Sequence, residues 1–186
     1  MFFVIVINRC MIEETNRARE MPMFFYRITK YDPNYRDEKG RYVGPETWTS
    51  VSDVGKKYNG SVLTYDEYIF YETMYIHSIC AIMQLNSVSQ MNVVSLEKYD
   101  FVSLDDYITR DEFDTLRNNQ RLYKNQLAIV SRMILRETIW GKLVEGEKLW
   151  IHFGYDYYMY IGSEKEITAE HIPSTLFIEK CKSPYF

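Results

Sequence analysis

The stretch from Thr64 to Leu85 constrains this chain most. Thr64 and Glu67 stand as cap and N3 of a capping box, which opens a helix. Ile69, Ile76, Ile79 and Met83 follow helical spacing, while Phe70, Met74, Cys80 and Ile82 fill the other faces. A helix apolar on nearly every side has to be enclosed by the rest of its fold. The flanking sequence supplies the means, because it alternates with period two. Phe24 to Lys30, Met91 to Leu96, Leu149 to Phe153, Tyr157 to Ile161 and Leu176 to Lys182 all read as strands. Gly154-Tyr155-Asp156 is the turn of a hairpin. The order of elements points to an α+β fold, a mainly antiparallel sheet packed against several helices in a single domain over 23–186.

Other segments are read from local signals. Tyr31 to Glu46 is a long loop, and Trp48 precedes a short helix capped by Ser50 with Asp53 and stopped by Asn59-Gly60. Thr109 and Glu112 form a second capping box. Beyond it Phe113, Leu116, Gln120, Tyr123, Leu127, Val130 and Ile134 step by three and four, with Leu135, Ile139 and Leu143 as a further stripe. This predicts either one helix over 110–144 or two, broken near Asn118-Asn119. Residues 1–22 form an N-terminal extension. Its opening MFFVIVI reads as a strand, with Met23 as an alternative start of the native chain.

At 186 residues the chain can bury a full core without staples. Cys10, Cys80 and Cys181 are widely spaced, with no CxxC pair, which fits a reducing, cytoplasmic setting. The apolar N-terminal run is too short to span a bilayer, so no membrane is expected. Phosphate-cradling glycine motifs, the GxSxG elbow and HExxH are missing, so the sequence offers no catalytic residue, metal ligand or cofactor. His77 is read as structural, His171 as solvated, and His152 as lying on a more exposed strand face beside Trp150. Paired with tyrosines, His152 is the best candidate for acid–base work should the chain be an enzyme.

Charge is segregated. From Tyr58 to Glu97 there is no Lys or Arg, and the helix there carries many of the 17 tyrosines. Tyr65, Tyr68, Glu72 and Tyr75 fall near one helix face, with Asp66 and Glu67 beside them. Such a face suits a basic protein partner, since carboxylates steer encounter and rings supply contact area. From Thr115 to Arg136 there is no acid, and Arg117, Arg121, Lys124, Arg132 and Arg136 form a basic stripe. The stripe either tracks nucleic-acid phosphates or pairs with the acidic helix.

Size, slight acidity, the tyrosine-rich acidic helix and the lack of catalytic motifs together resemble the small bacterial immunity-type proteins of polymorphic toxin systems. That resemblance implies a one-to-one inhibitor. In it Asp66, Glu67 and Glu72 block a basic toxin site and Tyr65, Tyr68 and Tyr75 act as anchors. The expected function is thus a protein-binding module for a basic partner, with a nucleic-acid-binding protein or an enzyme as alternatives.

Overall fold

The computed structural model describes residues 23–102 and 104–184. The strand read at 1–7, the extension 1–22 and Cys10 lie outside them. Strands β1 (Phe24–Thr29), β4 (Gln90–Lys98), β5 (Arg121–Tyr123), β6 (Ile139–Glu145), β7 (Leu149–Phe153), β8 (Met159–Ser163) and β9 (Phe177–Lys180) form one sheet. Their order is β5-β4-β6-β7-β8-β1-β9 and every pairing is antiparallel. Helices α1 (Tyr65–Leu85), α2 (Arg110–Thr115) and α3 (Lys124–Leu135) complete the α+β architecture. No helix among the described residues is long and apolar enough to cross a membrane.

The alternation in the sequence sets the sheet's register. Tyr26, Ile161, Ile151, Leu143 and Val93 form one row across five strands. All five are buried, in the same cluster as Ile79 and Ile82 of α1 and Leu127 and Val130 of α3. The next row, Arg27, Tyr160, His152 and Lys142, faces the other way. His152 is nonetheless buried, not on an exposed face, whereas His77 is exposed on α1. His171 accepts from the Thr168 backbone N–H as part of a small cap.

Three local readings change. Asn59-Gly60 does not stop a helix; it is the turn between β2 (Lys57–Tyr58) and β3 (Ser61–Val62). Both turn residues have positive φ, 47° and 90°, as a tight hairpin turn requires. The Ser50–Asp53 capping box is present, but it opens only a single 3-10 turn, Val51–Asp53. The stripe after Thr109 is broken around Asn118-Asn119 into two helices, as one of the two alternatives has it, but strands interrupt and end it. It comprises α2, β5, α3 and β6, because residues four apart share a face on a strand as well as on a helix. Ile139 and Leu143 are such a pair, and both are buried on β6.

Candidate functional site

The face of α1 carrying Tyr65, Tyr68, Glu72 and Tyr75 is turned inward. Tyr68, Glu72 and Tyr75 are each 0% exposed, Tyr65 is half-buried, and only Asp66 and Glu67 are open to solvent. Tyr68, Glu72 and Tyr75 are therefore core residues, not elements of an exposed recognition face. The Tyr68 hydroxyl donates to the Leu135 carbonyl at 3.1 Å and the Tyr75 hydroxyl to that of Tyr157 at 2.7 Å. Glu72 accepts from Arg132 at 2.9 Å and from Arg136 at 2.7 and 3.0 Å. Arg136 also donates to both oxygens of Asp105, which accepts the Tyr65 hydroxyl. Burial works against the Arg136 charge, but these hydrogen bonds outweigh it and hold the guanidinium firmly protonated.

The basic stripe is dispersed by the same geometry. Arg132 and Arg136 belong to the internal cluster, while Arg117, Arg121 and Lys124 are exposed. Arg117 donates to the carbonyls of Asp114 and Leu116, Arg121 on β5 lies 3.9 Å from Glu145 of β6, and Lys124 opens α3. No single helix face carries all five.

Acidic and aromatic groups do meet at one end of the sheet. A cavity of about 680 Å³ is lined by Glu97, Tyr99, Glu137, Trp140, His152, Tyr155 and Asp156, and its walls include Thr49, Ser50 and Ser52. No Lys or Arg is among the described residues that line it. Glu97 and Trp140 are cross-strand partners just past a bulge in β4. The Tyr99 hydroxyl donates to Glu97 at 3.1 Å, and its backbone N–H donates to the Thr138 carbonyl at 2.9 Å, which seats Tyr99 beside Glu137. Tyr99 and Tyr155 are 51% and 80% exposed, so their rings form an open rim.

The backbone beneath these groups is left-handed at three residues. Glu137, Asp156 and Tyr157 have φ of 59°, 58° and 61°. Glu137 follows Arg136, the C-cap of α3, and closes the helix. Its N–H bonds to Ile134 and that of Thr138 to Met133, each at 3.0 Å. Glycine is the favoured residue at such a position. Removal from water pushes the Glu137 carboxyl above its ordinary value, and the nearby Asp53 charge adds to this.

Lys30 secures the loop that supplies the Thr49–Ser52 wall. Its ammonium lies 4.1 Å from the Trp48 ring centre and 4.4 Å from that of Tyr31, and it donates to the Thr47 hydroxyl at 3.2 Å. Burial pushes Lys30 down to about 7, against the opposing pull of Glu67 and Asp53. An unfolded lysine titrates near 10.4, so between about pH 7 and pH 10 the unfolded chain holds the extra proton. Stability from this residue therefore rises with pH across that window and is lost as pH falls through it. Urea unfolding at about pH 6 and about pH 9 should show Lys30→Met most stabilising relative to the native residue at the lower pH. Parallel pH profiles for the two proteins would exclude this role.

His152 is the one imidazole at the cavity. Its ring packs edge-on to Trp140 at 5.5 Å, and burial with the neighbouring Lys142 charge pulls it down to about 4. So weak a base takes a proton poorly at neutral pH. Among the described residues no group of three or more His, Cys, Asp or Glu is placed to hold a metal ion. The cleft was hidden in the sequence, since Glu97, Glu137 and Asp156 come from a strand, a helix end and a turn far apart in the chain. Comparison with protein-family models, curated proteins and solved structures finds no match.

Proposed function

We propose that this chain is a protein-binding module that takes a basic side chain of a protein partner into the Glu97–Glu137–Asp156 cleft. The observation that supports this is one cavity holding three carboxylates and two exposed tyrosine rings, with no cation among its described lining residues. A guanidinium suits such a site, because it pairs with carboxylates through a planar fork and stacks on ring faces. An immunity-type inhibitor is the finer form of this reading: the cleft would occupy a basic residue that a toxin needs for its own site. So weak an imidazole base makes the enzyme reading the less favoured one.

Glu137 supplies a direct test, because stability and binding should respond in opposite directions. Glu137→Gly relieves a left-handed backbone and should raise stability by about 0.5–1 kcal/mol. The same change removes a cleft carboxylate and should weaken binding of an arginine-rich peptide at least several-fold, measured by calorimetry. The triple variant Glu97→Gln, Glu137→Gln, Asp156→Asn should lose that binding, and the native protein should lose it progressively with added salt. Unchanged peptide affinity in the folded triple variant would sink the proposal.

A further inference from the structure

A second cavity, of about 470 Å³, adjoins the first across Thr49 and Asp156. Its lining includes Arg27 of β1, Arg36 and Tyr42 of the loop after β1, Tyr31, and Tyr158 ahead of β8. Arg27 and Arg36 both bind one carboxylate, Glu179 of β9. Arg27 donates to it at 2.9 and 3.1 Å, and Arg36 at 3.2 Å through two nitrogens. Their side chains are only 13% and 8% exposed. Arg41 on the rim is already paired with Asp37. Glu46 and Asp156 also line this cavity, yet among the described residues no carboxylate other than Glu179 lies within ion-pair distance of Arg27 or Arg36.

Among the described residues two guanidiniums thus share one carboxylate within ion-pair distance, and their side chains are little exposed to water. Charges so withdrawn from water are ordinarily paired. The tyrosines compensate in part. The Arg36 guanidinium lies 5.2 Å from the Tyr158 ring centre and 5.6 Å from that of Tyr42, and Arg27 lies 4.8 Å from Tyr158. Ring faces are a weaker partner than an oxyanion held by guanidinium N–H groups. Donors remain for one, since Arg36 uses three nitrogen–acceptor bonds, on Glu179 and the Tyr158 hydroxyl, of the five N–H a guanidinium offers. Gly44 keeps the pocket's shape: a Cβ there would lie 2.6 Å from the Tyr42 ring and 2.8 Å from the Tyr35 Cβ.

We propose that this pocket binds an aryl oxyanion, a carboxylate or phosphate carried on an aromatic ring, with Arg27 and Arg36 holding the anion and the Tyr31, Tyr42 and Tyr158 rings flanking the ring. The proposal does not rest on the basic-partner cleft, although the two cavities share Thr49 and Asp156 in their walls. Its test is titration of the full chain with benzoate and with phenyl phosphate at constant ionic strength, chloride serving as control. The Nε–H resonances of Arg27 and Arg36 report directly. Both should shift saturably at millimolar ligand, and the melting temperature should rise with ligand concentration. Saturation by only one of the two ligands assigns the oxyanion as carboxylate or as phosphate. Arg36→Lys keeps the charge but loses the fork, and should weaken binding at least tenfold. Tyr42→Leu, at the edge of the fold, should weaken the aryl ligands several-fold while leaving acetate unaffected. No saturable shift with either ligand, or shifts equal to those caused by chloride, would overturn the proposal. So would full affinity in both folded variants.

Discussion

Glu72→Ala should cost about 3–5 kcal/mol, enough to unfold much of the population of an ordinary domain. The carboxylate is 0% exposed and faces Arg136, itself 2% exposed at its side chain, and Arg132 at 15%. Among the described residues, removing the anion leaves Arg136 paired with Asp105 and Arg132 over the Tyr107 ring face 4.7 Å away. Arg136 is then left with half its partners in a place withdrawn from water, while Arg132 is already partly open to it. Glu72→Gln keeps the shape and part of the hydrogen bonding but not the charge, so its cost should fall between native and alanine. A double-mutant cycle with Arg136→Met should show strong coupling, because each partner's loss exposes the other's. Urea denaturation reads all of these. A cost below about 1 kcal/mol for Glu72→Ala would mean that the pair is hydrated and that the helices are not held together through it.

Trp48→Ala should cost a comparable amount, about 3–5 kcal/mol, as for other buried aromatic truncations. Trp48 is 3% exposed and joins the loop after β1 to the centre of the fold. Its ring meets Tyr157 at 4.9 Å, Tyr71 at 5.5 Å and Tyr68 at 5.7 Å, and it carries the Lys30 ammonium on its face. Its carbonyl accepts from the Tyr31 hydroxyl at 3.4 Å. The loss is therefore twofold: a void among tyrosines, and a loop that no longer holds the Thr49–Ser52 wall of the cleft. Water entering the void should rehydrate Lys30, so the pH dependence expected of that lysine should fade in the same variant. A folded, equally stable Trp48→Ala protein with the Lys30 pH profile intact would show that the loop is anchored elsewhere.

How far the sequence reaches depends on the distance over which each signal acts. Caps are local, so Thr109 with Glu112 marks the start of α2, and Thr64 marks that of α1, where its side chain accepts from the Glu67 N–H. Alternation is nearly local, so β1 and β7 fall where Phe24 and Leu149 suggest, and β9 (Phe177–Lys180) lies within the stretch read from Leu176 to Lys182. Four-residue steps such as Ile139 to Leu143 satisfy both periodicities, and the helix reading of that stretch fails for this reason. Glu72 looks like a surface acid because its partners, Arg132 and Arg136, lie 60 and 64 residues away. The hint was present in the complementary charge bias of the two segments, and the pairing of basic stretch with acidic helix accounts for those two arginines. Nothing local marks the cleft. Glu137 reads as an ordinary helical residue, and only the folded backbone places it in the left-handed region beside Tyr99.

The measurement closest to the central claim is residue-by-residue mapping, by amide chemical shifts, of where an arginine-rich peptide binds the full chain. The largest saturable shifts should fall on Glu97, Tyr99, Glu137, Tyr155 and Asp156, and should vanish when the three cleft carboxylates are neutralised. Shifts centred instead on Asp66 and Glu67 of α1, or spread over the surface without saturation, would contradict the cleft as the site of a basic partner.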